Sequence, residues 1–203
     1  MNKKLIVSLL GAPGSGKGTQ SSNILHDYDF GYLCVGDKLR EVMNEDPKMK
    51  AILASGQLLD SNYVNSLVDL ELNKIQEDII LLDGYPRKLD QAEHLKLNYE
   101  ILVIYLKLDN ETIIKRLKVR AYCNQCKEIL SQSTKCVKCG SVDISQREDD
   151  SISTIHNRLR EFEEFTKSLI EYYEPVINVV DASKSITEVY LNIKQILDSK
   201  LNF

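Results

Sequence analysis

Residues Ser8–Gln20 read SLLGAPGSGKGTQ. The apolar run Leu5–Leu10 has the character of a short strand, and it leads into a glycine-rich loop with one lysine. Gly11, four residues, Gly16 and Lys17 follow the spacing of a phosphate-binding P-loop. Glycines let the backbone curl until successive N–H groups point into one concavity. The helix that follows adds its positive end. Lys17 supplies a mobile charge for terminal phosphates. One position departs from the pattern. A Ser or Thr is expected after the lysine to hold magnesium, but Gly18 stands there and the hydroxyl comes one residue later, at Thr19. Magnesium is therefore expected to be held mostly through water and phosphate.

The chain has 203 residues, enough for one sizeable core with small inserts. A net charge of −4 and a pI near 5.5 argue against a dedicated binder of nucleic acid or anionic membrane. Met1–Leu10 superficially resembles a signal peptide, but its apolar run is too short and the loop behind it has a better use than a cleavage site. No stretch approaches a membrane span. The expected compartment is the cytoplasm, with reduced thiols. Five cysteines there suggest a metal site before disulfides.

Short apolar runs alternate with helical patterns, which favours an α/β fold with a parallel sheet. The expected strands are Leu5–Leu10, Tyr32–Val35, Ile79–Leu82, Ile101–Lys107 and Val176–Val180. Their continuous apolar character fits strands covered on both faces. Val64, Val68, Leu72 and Ile75 form one core-facing helical stripe. Ile152, Ile155, Leu159, Phe162, Phe165 and Leu169 form a longer one that ends before Pro175. Ser185 and Glu188 fit a capping box for the last helix. Residues 37–60 and 121–148 break the alternation and read as inserts at strand ends, where open α/β sheets bind ligands.

LLDGYPRK, Leu81–Lys88, ends a buried run in Asp83 and then turns to Arg87. A carboxylate there would hold magnesium through waters beside the P-loop. Arg87 has the geometry to grip a phosphate bidentately. Arg116 and Arg120 share one helix face by spacing, which fits phosphate binding or plain surface equally. His26, His94 and His156 are scattered and read as ordinary helix residues. Cys123-x-x-Cys126 and Cys136-x-x-Cys139 offer four thiolates to one tetrahedral zinc of structural type. Lys127, Lys135 and Lys138 would temper its charge. Cys34 reads as a small buried hydrophobe.

GAPGSGKGTQ, GDKLR, LLDGYPR followed by Gln91, and QREDD before a long helix with Arg158 stand in the order found in adenylate kinases. The chain resembles that family over nearly its whole length, and its four-cysteine insert resembles the zinc-containing lid of many bacterial members. The resemblance implies the P-loop nucleoside monophosphate kinase fold, a five-stranded parallel sheet flanked by helices. The core would be 1–34, 61–119 and 151–203, with an NMP-binding insert at 35–60 and a lid at 120–150. It implies reversible, magnesium-dependent transfer of the ATP γ-phosphate to AMP, giving two ADP.

By similarity, Gly14, Ser15, Gly16, Lys17, Gly18 and Thr19 wrap the ATP phosphates, with Arg116 on the same side. Arg120, Arg147 and Arg158 converge on the phosphates as the lid closes, and with Lys17 and Arg87 they form the catalytic group. Arg87 and Arg40 hold the AMP phosphate, with Arg147 and Arg158 reaching the same side. Val35, Gln57, Leu58, Leu59, Gly84, Tyr85 and Pro86 line the AMP site, and Gln91 reads the adenine edge. Ile129, Leu130 and the backbone of Lys184 meet the ATP adenine. The implied partners are ATP, AMP and ADP, without nucleic acid or membrane, and the chain would be a monomer. Three positions depart from the family pattern: Val35 replaces a threonine near the AMP base, Ala121 replaces a second lid arginine, and Ile129 and Leu130 stand where a tyrosine is common. Val35 keeps open a related kinase acting on UMP, CMP or a small metabolite.

Overall fold

A computed structural model describes residues 3–43, 47–126, 128–131, 133–146 and 150–201. In chain order its elements are β1 (Leu5–Gly11), α1 (Lys17–Asp27), β2 (Gly31–Cys34), α2 (Val35–Met43), α3 (Pro47–Ser55), α4 (Ser61–Leu72), β3 (Ile79–Asp83) and α5 (Leu89–Asn98). Then follow β4 (Glu100–Lys107), α6 (Asn110–Lys118), β5 (Arg120–Cys123), β6 (Ile129–Ser131), β7 (Ile144–Ser145), α7 (Ile152–Tyr173), β8 (Ile177–Asp181) and α8 (Ile186–Leu201).

The main sheet is parallel, in the order β2-β3-β1-β4-β8. Its central strands are the apolar runs of the sequence, and Ile6, Val7, Leu9, Ile80, Leu81, Leu82, Val103 and Ile104 are fully enclosed. Helices cover both faces, so hydrophobic clusters form above and below the sheet. The register places Leu9 of β1 beside Asp83 of β3, and Asp83 beside Cys34 of β2. The glycine loop and Asp83 therefore emerge together at the carboxyl edge of the sheet.

The sequence reading needs correction at the edges. The second strand stops at Cys34, and Val35 already opens α2, where Asp37 lies in the first turn and complements the helix dipole. β8 runs Ile177–Asp181 rather than Val176–Val180. As an edge strand it is not covered on both faces, and Val176 and Val179 are each 55% exposed. In the first stripe Val64, Val68 and Leu72 are buried on α4, while Ile75 lies beyond the helix end and packs only partly. In the second, Ile155, Leu159 and Leu169 are buried, whereas Ile152, the first residue of α7, is exposed. The capping box is present: Glu188 N–H donates to Ser185 Oγ at 3.3 Å, and Ser185 N–H donates to Glu188 Oε2 at 3.1 Å. The cysteine-bearing segment forms a small antiparallel sheet, β6-β5-β7, that the polar sequence did not announce.

Candidate active site

α4, α6 and α7 open with side-chain caps from Asp60, Asp109 and Ser151. α1 has no such cap; its first turn follows Gly16, and the loop before it leaves that end to a ligand. Gly14 has a φ of +82°, and a Cβ there would meet Leu117 Cγ at 2.9 Å. The loop thus lies pressed onto α6, where only glycine fits.

Lys17 folds back over the loop, and its Nζ donates to Gly11 O at 2.8 Å and Ala12 O at 3.1 Å. Burial lowers its ammonium pKa to about 8, with Asp83 opposing that shift and Arg87 and Arg158 adding to it. Asp83 is the converse case. Burial raises its carboxyl pKa, and Lys17 pulls it back. Ser21 Oγ donates to Asp83 Oδ2 at 3.4 Å, a long contact. The Cys34 thiol is pushed up to about 12 by burial and by Asp83 and Asp37; it is half-buried at the end of β2 rather than enclosed in the core.

Four cationic groups face one cleft: Lys17, Arg40, Arg87 and Arg158. Arg40 and Arg87 converge closely. A Cβ on Gly36 would lie 3.5 Å from one Arg40 nitrogen and 3.7 Å from one Arg87 nitrogen. Arg87 is fixed by its Nε–H to Gly84 O at 2.9 Å, and its backbone N–H donates to Gln91 Oε1 at 2.8 Å. Arg40 is paired with Asp37. Arg158 joins Arg120 through Asp150. Arg120 Nε and an Nη donate to the two Asp150 oxygens at 2.7 and 2.6 Å, and Arg158 donates to Oδ1 at 3.2 Å. The Asp150 side chain is only 3% exposed, so two guanidiniums share one buried carboxylate. Nothing in the sequence singled out Asp150 within its acidic run. Arg147 lies outside the described residues, as does Lys127.

Arg116 donates to Ala182 O at 3.0 Å and passes within 4.0 Å of where a Gly16 Cβ would sit, beside the turn that carries exposed Lys184. A smaller pocket next to the cleft is walled by Val35, Leu59, Val64, Tyr85 and Gln91. Tyr85 is anchored by its hydroxyl to Asn65 Oδ1 at 2.7 Å, and its carbonyl accepts from Ser8 at 2.8 Å. Gln57, Leu58, Gly84 and Pro86 border the main cleft. Ser15 is buried in the loop and Thr19 partly so.

Ile129 and Leu130 do not act as a pair. Strand alternation sends neighbouring side chains to opposite faces. Leu130 is buried with Ala121, Cys123 and Cys136 against the small antiparallel sheet. Ile129 faces the P-loop, with its Cδ1 2.9 Å from where a Gly18 Cβ would be. A side chain at position 18 would press on the tip of Ile129, which would have to turn aside.

The Sγ atoms of Cys123, Cys126, Cys136 and Cys139 all lie within 4.8 Å of one another. Cys123–Cys139 and Cys126–Cys136 are each 3.5 Å apart. Zn–S bonds of about 2.3 Å in a tetrahedron separate the sulfurs by about 3.8 Å, so the donor set fits one such ion. Among the described residues no helix is long and apolar enough to cross a membrane.

A family model described as "Adenylate kinase" matches residues 9–177. The chain belongs to the adenylate kinase family. It is an enzyme of phosphotransferase type, with adenylate kinase activity. It is 36% identical to an adenylate kinase of Wolbachia sp. subsp. Drosophila simulans (strain wRi), over 97% of this chain and 100% of that protein. It is 34% identical to an adenylate kinase of Lactiplantibacillus plantarum, covering 94% and 96% of the two chains. An adenylate kinase of Caldanaerobacter subterraneus subsp. tengcongensis is also 34% identical, over 94% and 95%.

Proposed function

We propose that the cleft transfers the γ-phosphoryl group of ATP to AMP, with ATP on the glycine loop and AMP between α2 and the turn after β3. The convergence of Lys17, Arg40, Arg87 and Arg158 on one cleft carries this reading. The loop amides and Lys17 would bind the ATP phosphates, and Arg116, Ile129 and the Lys184 turn would border its base. Arg40 and Arg87 would grip the AMP phosphate. The small pocket would take the AMP adenine against Val35 and Leu59. Phosphoryl transfer needs positioning and positive charge more than a protein nucleophile. Arg120 and Arg158, aligned by Asp150, add that charge from the lid side and help to exclude water.

Magnesium would arrive with ATP and neutralise charge on the transferring phosphates. Buried Asp83, whose Oδ2 lies 4.0 Å from the position of a Gly18 Cβ, is placed to hold its waters. Zinc is the ion we assign to the four thiolates. The core, the insert at 35–60 and the lid at 120–150 act as one machine within one chain. We read it as a monomer in the cytoplasm, as its resemblance to adenylate kinases implies.

The acceptor assignment is tested at Gln91, which is 3% exposed. Its Oε1 already accepts from Arg87 N–H, which leaves the second lone pair and the amide donors for a base. Gln91→Leu should weaken AMP by about 1–3 kcal/mol and ATP hardly at all. Equal weakening of both, in titrations of each nucleotide alone, contradicts the assignment. A coupled assay with UMP, CMP and GMP as acceptors completes the test.

Lys17 also gives a pH dependence. Its pKa of about 8 in the free protein should rise when a polyphosphate stabilises the ammonium form. ATP binding above pH 8 should then take up a proton, and affinity should fall as pH rises. Calorimetry at pH 8.5 in buffers of different ionisation enthalpy measures this uptake. No proton linkage there would mean that Lys17 does not meet phosphate.

A further inference from the structure

α3 ends at Ser55, and the last carbonyls of a helix have no partner within it. Two of them are taken by side chains about a hundred residues away. Thr154 Oγ1 donates to Ala54 O at 3.1 Å, and Asn157 Nδ2 donates to Ser55 O at 3.2 Å. Both donors lie in the first two turns of α7, four residues and one residue before Arg158. The Thr154 hydroxyl is oriented for this bond. Ser151 Oγ donates to Thr154 Oγ1 at 2.8 Å, which leaves the threonine proton for Ala54 O. The packing at the joint is close. Gly56 has a φ of +82°, and a Cβ there would meet Arg158 Cγ at 2.8 Å and Thr154 O at 3.2 Å. Immediately beyond it, Gln57 and Leu58 border the cleft.

We propose that Thr154 and Asn157 are positioning residues for the acceptor nucleotide: they clamp the carboxyl end of α3 to α7 and so set Gln57 and Leu58 beside Arg158. The inference rests on reading the cleft as the AMP site. A hydrogen bond exchanged against water has a small net worth, which suits a joint that must open to admit a ligand and close on it. Neither side chain reaches the glycine loop, so the clamp acts on one nucleotide and not on the other. Arg158 shares its helical turn with the clamp and shares Asp150 with Arg120, so the insert closes against an arginine that is already aligned.

The test is titration of AMP alone and ATP alone against wild type, Thr154→Val, Asn157→Leu, the double variant and Thr154→Ser. Val and Leu keep the size and remove the donor; Ser keeps the hydroxyl. The double variant should weaken AMP roughly tenfold. ATP affinity should change less than twofold, and the melting temperature should stay within a few degrees. Thr154→Ser should match wild type. Unchanged AMP affinity in the double variant, or equal losses for both nucleotides, overturns the clamp. Wild type that binds ATP but not AMP overturns the AMP reading itself, and the clamp with it.

Discussion

Replacing Lys17 with methionine should lower kcat by about 10²–10³-fold, the cost of removing one preorganised electrostatic partner from a developing charge. Methionine keeps the length and the apolar stem, so packing is retained. Stability should be unchanged or raised. Burial depresses the lysine pKa to about 8 from 10.5 in the folded state, so the charge opposes folding at neutral pH. Between about pH 8 and 10.5 the unfolded chain binds the extra proton, so wild-type stability gains with rising pH. The variant should lack that gain. The variant also loses the two Nζ bonds to Gly11 O and Ala12 O, each of small net worth. Steady-state kinetics and thermal melts on the same preparation check both halves. Near-normal turnover would refute the role, and a melting temperature many degrees lower would make Lys17 a structural residue instead.

How much of this was legible depended on range. The glycine loop was readable because its spacing is a local backbone requirement, and the capping box and the paired cysteines are local in the same way. The central strands were readable because burial on both faces leaves an unbroken apolar run. β8 was readable as a strand to within one residue, but its exposure was not, since Val176 and Val179 have the same apolar composition and sit at an open edge. Asp150 was hidden because QREDD served as a motif without a role for its last carboxylate, and only the fold brings Arg120 and Arg158 to that group. Thr154 and Asn157 were hidden for the same reason: their partners are backbone carbonyls a hundred residues away, which leave no mark on composition. Leu130 could have been corrected from sequence alone. Two adjacent residues on a strand cannot both face the same ligand, and alternation divides them.

Removing the lid metal should give the second large effect. β5, β6 and β7 contribute few residues to their own core: Ala121, Cys123, Leu130 and Cys136 are buried, with Cys126 and Ile144 packed against them. Two tight turns present the thiols. Cys123 N–H donates to Glu128 O at 2.9 Å, Cys136 N–H to Ser141 O at 2.7 Å, and Gly140 N–H to Cys136 O at 2.9 Å. Such a segment gains its order from coordination, because metal binding is coupled to folding. The main sheet and its helices share none of these ligands. Chelation, or Cys→Ser at any one of the four, should therefore melt the lid first and lower the overall midpoint by roughly 10 °C, equivalent to a few kcal/mol in a chain of this size. Cys34→Ser should leave metal content unchanged. Turnover should fall with the lid, since Arg120 stands at the start of β5 and its alignment on Asp150 depends on that strand. Residual activity should survive at low temperature, because Lys17, Arg40 and Arg87 lie on the core and on α2. Elemental analysis of protein purified without chelator is the deciding measurement. About one zinc per chain, with the four thiols protected from titration, is the expected result; metal-free protein with the same melting temperature and four freely titrating lid thiols would remove the metal from this account.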